Sequence, residues 1–292
     1  MARWRRLLSS RPRPNFDVFT PRTVRPEAPP LLLIHGFACG REDWGAVPKI
    51  VATKSQRPVI SFDNRGVGEM PPPPGPYTCN DMAHDAMCVL DRAGFDRAAV
   101  MGISLGGMIA QTLALDHPER VCSLILGCTT HGGREAHPPD AEFMRLCAAW
   151  AGEEAPNASS EHVDAFMRAM LPRAFLDERS GALLFDQFRE AFLQTKRTRE
   201  GLLGQLGAMG KFNTTRRLGE IACPTLVLTG DLDAVIPPPN AESLARRIPH
   251  ATLETWAGAG HFWWAHRPLD VARVLVDFLD EADARAAADD EA

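Results

Sequence analysis

Short apolar runs that fall between helix-length stretches constrain this chain more than any other feature. They are Leu31–Ile34, Val59–Phe62, Ala98–Met101, Val121–Leu126 and Thr225–Thr229, with Ala251–Trp256 as a sixth candidate. A strand with one wet face alternates apolar and polar residues, whereas a strand covered on both faces reads as a continuous run. The first run follows the breaker Pro29-Pro30 and ends at His35-Gly36; the next two end at Asp63 and Gly102. Helical spacing fills the gaps. Between Asp81 and Ala93 one stripe holds Met82, Ala86, Val89 and Leu90, Leu105–His117 is stopped by Pro118, and Val271, Val274, Leu275 and Phe278 mark a last amphipathic helix. Strands alternating with helices require right-handed crossovers, which makes the expected fold class α/β: a doubly wound, mostly parallel sheet.

The alternation breaks between residues 131 and 220. Phe143, Leu146, Cys147 and Trp150 fall at i, i+3, i+4, i+7, and Val163, Phe166, Met167 and Met170 repeat that spacing. Leu184, Phe188 and Phe192 form a third stripe and Leu202, Leu203 and Leu206 a weaker fourth. Gly201, Gly204, Gly207 and Gly210 recur every third residue there, a density that costs helix stability and points to tight packing or a mobile element. The expected organisation is a core over 30–130 and 221–280, a helical insertion over 131–220, a basic, flexible arm over 1–29 and an acidic, flexible tail over 281–292.

Lys+Arg 32 against Asp+Glu 37 leaves a formal net charge of -5, so no global electrostatic case exists for nucleic acid or an anionic membrane. No apolar run reaches the roughly twenty residues that span a bilayer. The seven cysteines form no CxxC pair and suggest reduced thiols in an intracellular, cytoplasmic protein. Arg3, Arg5, Arg6, Arg11 and Arg13, with no acid before Asp17, leave an organellar transit peptide as the alternative. The histidines and cysteines lack ligand spacing and no G-x-G-x-x-G follows a strand, so neither metal nor cofactor is expected.

Gly102-Ile103-Ser104-Leu105-Gly106 lies where a strand turns into a helix. That context suits G-x-S-x-G: glycines Gly102 and Gly106 let the backbone turn sharply, Ser104 is lifted clear of the sheet, and the helix N-terminus favours negative charge beside it. A serine hydroxyl needs a base. Of nine histidines, His261 follows the last strand within Gly258-Ala-Gly-His; His35, His117, His131 and His137 read more simply as turn or surface residues. An acid must then orient the base. Asp231 and Asp233 both follow the fifth run, and Asp233, further into the loop, is the choice over Asp231. Backbone N–H groups of Leu105 and Phe37 could receive an oxyanion, the second from the turn His35-Gly36-Phe37.

On these residues the chain resembles the α/β-hydrolase superfamily from about Pro30 to Leu279. Asp63-Asn-Arg-Gly-Val-Gly68 is similar to that superfamily's D-x-R-G-x-G turn, although Met70 stands where a small hydroxyl residue commonly closes the pattern. Phe37, Trp44 and Gly106-Gly-Met-Ile-Ala110 look like the branch of enol-lactonases and polyketide methylesterases. The resemblance implies a helical cap inserted after the sixth strand. It also implies a first hairpin, which here lacks convincing strands before Pro30. The expected function is a serine hydrolase cleaving a small-molecule carboxylic ester or lactone through an acyl-enzyme on Ser104, Asp233 and His261. An apolar cap would favour an uncharged acyl or aromatic ester. The same triad could instead serve C–C bond, thioester or perhydrolase chemistry, and a non-catalytic ligand-binding homologue is a further alternative.

Overall fold

The computed structural model describes residues 15–73, 75–150 and 160–290. Seven strands form one sheet: β1 (Phe16–Phe19), β2 (Leu31–Ile34), β3 (Val59–Phe62), β4 (Ala98–Ile103), β5 (Val121–Gly127), β6 (Thr225–Gly230) and β7 (Ala251–Trp256), in the spatial order β1-β3-β2-β4-β5-β6-β7. Every pairing is parallel except β1 with β3. The continuous runs are the covered strands: β2, β3, β4 and β6 are buried throughout, and β5 everywhere but Cys122. The half-exposed strands β1 and β7 are the sheet edges.

The core helices are α1 (Val47–Ser55), α2 (Cys79–Ala93) and α3 (Leu105–Asp116). From β2 the chain crosses by α1 to β3 on one side, then by α2 to β4 on the other. Right-handed crossovers in opposite directions put α1 and α2 on opposite faces of the sheet. The loops after β2 and β4 diverge where the order reverses, which is where open α/β sheets form a ligand crevice. Among the described residues, four longer helices lie between β5 and β6, α4 (Ala141–Trp150), α5 (Ser160–Ala169), α6 (Arg179–Gln194) and α7 (Arg199–Lys211), with a single helical turn at Arg173–Leu176 between α5 and α6. Then come α8 (Pro239–Arg247) and α9 (Pro268–Asp290).

The helical insertion follows β5, the fifth strand among the described residues. Two expectations need correction. The segment 1–29 is not wholly an arm: Phe16–Phe19 pairs with β3, and Arg41 bonds Asp17 at 2.9 Å. The Arg-rich stretch up to residue 14 lies outside the described residues. Nor does the acidic tail begin at 281, since α9 runs on to Asp290. The fully buried Arg57 bonds Asp283 at 2.8 Å, so that acid of the expected tail is a counter-ion, and just before the tail Asp280 accepts from Arg25 at 2.8 Å.

The glycine row in α7 has two causes. A Cβ on Gly201 would fall 2.4 Å from the Gly66 carbonyl oxygen, and one on Gly204 would fall 2.1 Å from the Tyr77 ring, so α7 rests directly on the core at both. Gly207 and Gly210 meet nothing within 4 Å.

Candidate active site

Ser104 lies between β4 and α3 at φ 54°, ψ -122°, a region that costs a side-chain-bearing residue on the order of 1–3 kcal/mol. Neighbouring glycines make the turn possible. A Cβ on Gly102 would sit 2.1 Å from the Gly106 oxygen, and one on Gly106 would sit 2.0 Å from the Ile34 oxygen. The turn is pinned from outside as well: Ser104 N–H donates to Gly127 O at 2.9 Å, and Ser104 O accepts from Thr129 Oγ1 at 2.7 Å.

The β2 loop runs beside the serine. A Cβ on Gly36 would lie 3.0 Å from Ser104 Cβ and 3.6 Å from its Oγ. Phe37 thus enters the site from one side, and Leu105 opens α3 from the other. Asn64 holds the loop by donating to His35 O at 2.9 Å, while Arg65 grips Asp85 through bonds of 2.6 and 2.8 Å. The D-x-R-G-x-G-like turn is therefore a brace under this loop.

On the far side, His261 Nδ1 donates to Asp233 Oδ2 at 2.8 Å, and both residues are buried. Asp233 Oδ1 accepts the Val235 and Ile236 N–H groups, each at 2.9 Å. With three donors on one carboxylate, the aspartate cannot turn away from the ring. Asp231, the rival acid, is exposed and accepts the Gly258 N–H at 2.8 Å. Ser104 and His261 line one cavity of about 800 Å³, although no hydrogen bond joins Ser104 Oγ to the ring in this structure.

Of the competing histidines, His35 and His137 reach the same cavity, but it is His261 that bonds Asp233. His35 accepts the Gly36 N–H on Nδ1 at 2.8 Å, 4.6 Å between ring centroids from Trp44; burial drives its pKa down to about 3, so it is neutral. His131 bonds Ser243 at 3.0 Å and Thr215 at 2.9 Å, and burial lowers its pKa too. His137 lines the cavity, and His117 lies beyond α3.

Sequence spacing gave no warning of Cys128. Its Sγ lies with the Asp233 carboxylate and the His261 ring, all within 4.8 Å, in a group of metal-ligating residue types. The chemistry of the trio fits a hydrogen-bonded cluster better than a metal site. Burial and the Asp233 charge push the thiol pKa well up, away from the thiolate a metal needs, while Trp263 Nε1 donates to the sulfur and Asp233 is committed to His261.

The cavity wall is largely apolar, with Phe143, Phe166, Met170 and Met209 from the insertion. Its lip is basic. Arg134, Lys211 and Arg216 line it, are exposed and have no ion-pair partner among the described residues, whereas Glu135 is paired with Arg247. Phe143, Phe166 and Met170 belong to the helical stripes of the sequence, whereas Met209 and the three cations carry no such periodic signal. No described helix is long and apolar enough to cross a membrane.

Comparison with known proteins agrees with this architecture. The chain is 28% identical over 254 residues to RutD of Caulobacter segnis, a proposed carbamate hydrolase, covering 86% of this chain and 91% of that one. A hydrolase from Pseudomonas aeruginosa superposes with TM-score 0.75 at 28% identity, over 90% of this chain and 93% of the other. The enol-lactonase of Burkholderia xenovorans shares the fold, with TM-score 0.78 at 22% identity over 91% and 96% of the two chains. The family model described as alpha/beta hydrolase fold matches residues 29–263, and the chain belongs to that family of hydrolases.

Proposed function

We propose that this hydrolase cleaves a carboxylic ester or lactone through an acyl-enzyme, with Ser104 as nucleophile, His261 as general base and Asp233 as its orienting acid. The observation that carries the reading is the shared cavity: Ser104 on a strained strand-to-helix turn, and His261 with Nδ1 committed to Asp233. With Nδ1 donating, Nε2 keeps a lone pair for the serine proton. Rotation of the Ser104 hydroxyl toward Nε2 precedes attack, since such bonds commonly tighten only when substrate is bound.

As Ser104 Oγ bonds to the carbonyl carbon, its proton passes to His261, and the carbonyl oxygen becomes an oxyanion facing the Phe37 and Leu105 amides. Collapse expels the alkoxide, which takes the proton from His261 and leaves as an alcohol, or stays tethered if the substrate is a lactone. Water then gives a proton to His261, attacks the acyl-enzyme and releases the acid, returning the proton to Ser104. Helices α4–α7 form the cap, of which α4, α5 and α7 line the acyl pocket. Its apolar wall suits an apolar acyl portion, and its basic lip would accept a negative group at the far end.

The RutD relatives favour a second reading, the same sequence of steps on a carbamate carbonyl. Both are tested with p-nitrophenyl acetate, butyrate and octanoate beside p-nitrophenyl N-methylcarbamate, comparing wild type with Ser104→Ala. The ester reading expects turnover that vanishes in Ser104→Ala and faster turnover of butyrate than of the carbamate. The reverse preference would transfer the function to carbamates. Absence of turnover together with no fluorophosphonate labelling of Ser104 would refute both.

A further inference from the structure

Ala38, the residue after Phe37, sits at φ +62°. A residue with a Cβ stays in that left-handed conformation only where its surroundings hold it. What holds it comes from the insertion. Ala38 N–H donates to Gln205 Oε1 at 2.9 Å, and Ala38 O accepts from Arg197 Nε at 2.6 Å. Both backbone groups of this one residue are thus satisfied by side chains 167 and 159 positions further along the chain. Gln205 is fully buried on α7, and its Nε2 donates to Arg65 O at 3.0 Å, joining the oxyanion-side loop to the brace turn. Arg197 is anchored in turn by donating to Phe192 O at 2.6 Å and Thr195 O at 2.8 Å. The Phe37 ring meets Phe166 of α5 edge-on at 6.5 Å.

We propose that Gln205, assisted by Arg197, is a positioning residue for acyl transfer: it holds Ala38 and thereby aims the Phe37 N–H at the oxyanion. The proposal rests on the serine-hydrolase reading. It makes the insertion part of the catalytic frame as well as the roof of the pocket. Without Gln205 the Ala38 N–H and Arg65 O lose their partners. The turn then relaxes toward negative φ and carries the Gly36–Phe37 peptide with it. A displacement of about 1 Å at a reacting group can cost about a hundredfold in rate.

The test uses the full chain, p-nitrophenyl butyrate, n-butylboronic acid as a tetrahedral adduct former on serine, and amide hydrogen exchange. Gln205→Leu should lower kcat about a hundredfold with KM within about twofold. Boronate affinity should fall in step with kcat/KM, and exchange should quicken only across residues 36–40. Gln205→Glu, which keeps the acceptor for Ala38 N–H but sets a carboxylate oxygen against Arg65 O, should regain part of kcat, while Gln205→Asn, one methylene short of both partners, should regain none. The Glu and Asn pair also decides the matter if Gln205→Leu fails to fold. An unchanged kcat, a rise in KM alone, or a loss of protection spread across the chain would overturn the proposal. If wild type hydrolyses no ester, the functional reading falls by itself. Exchange at residues 36–40 then decides whether Gln205 holds the loop: unchanged protection overturns that, and localised loss retains it.

Discussion

Asp233→Asn separates an orienting acid from a merely buried one. The carboxylate has two jobs on two oxygens: Oδ1 takes the Val235 and Ile236 N–H groups, and Oδ2 takes the His261 Nδ1–H. Asparagine has one oxygen. Left toward the two backbone amides it preserves both of those bonds and turns its NH₂ on His261. Flipped toward His261, it would face an NH₂ against two buried donors, at about 1–3 kcal/mol for each donor left without a partner. The first orientation therefore wins. His261 must then offer a lone pair at Nδ1 and carry its proton on Nε2, where it can no longer accept from Ser104. That tautomer inversion typically costs about 10⁴ in kcat, or about 5.5 kcal/mol of transition-state stabilisation. Folding stability should change by about 1 kcal/mol or less, because volume and both backbone bonds are kept. The assay is p-nitrophenyl butyrate hydrolysis with Ser104→Ala as the floor, alongside a thermal melt. Asp231→Asn, at an exposed aspartate that bonds only Gly258 N–H, should stay within about twofold of wild type. If Asp233→Asn keeps kcat within tenfold of wild type, or Asp231→Asn loses more, the assignment of the orienting acid is wrong.

Two glycines on one helix should respond with opposite sign. Gly204→Ala drives a methyl into the Tyr77 ring and should destabilise by about 1–3 kcal/mol, while Gly207→Ala meets nothing within 4 Å and should stabilise by up to about 1 kcal/mol; equal shifts in denaturant midpoint would refute the packing account. Acid stability should divide between two buried groups. His35 titrates near 3 in the fold against an ordinary 6.5, so the unfolded chain binds the extra proton and stability falls as pH drops through that window. Asp43 is raised by burial to about 6 from 3.8, so there the fold binds the extra proton and stability rises as pH drops. Melts at pH 7, 5 and 4 should show a shallower acid limb for His35→Gln and a steeper one for Asp43→Asn, and parallel curves would contradict both. At the cavity lip, Arg134→Ser with Lys211→Ser should raise KM for p-nitrophenyl hemiglutarate about tenfold at low salt and leave butyrate unchanged; an equal rise for both esters would remove charge as the cause.

What could be read from the sequence follows from the range of the forces involved. Strands covered on both faces announce themselves as continuous apolar runs, so β2 to β6 were legible, whereas Phe16-Asp-Val-Phe19 is a four-residue edge strand with its middle exposed and lacks that signature. The serine turn was legible because its constraint is local: Gly102 and Gly106 flank Ser104 within one turn, and a Cβ at either would strike backbone. Asp233 and His261 were legible from their places after β6 and β7, on the carboxyl side of the sheet. The acidic end of α9 reads as a solvated tail because composition describes solvation, while Asp283 answers a buried Arg57 that lies 226 positions away. Likewise the glycines of α7 recur with one period but serve two ends, and only the neighbours Gly66 and Tyr77 distinguish Gly201 and Gly204 from Gly207 and Gly210. Gln205 is the extreme case. A polar residue in the middle of a glycine-rich helix would ordinarily face water, and its burial against Ala38 and Arg65 is fixed by partners that no local pattern names. Residues that shape a turn therefore leave a trace in their neighbours, whereas residues that join distant segments leave theirs only in the fold. The proposed positioning role belongs to the second kind, so the exchange measurement at residues 36–40 tests something no sequence motif could have supplied.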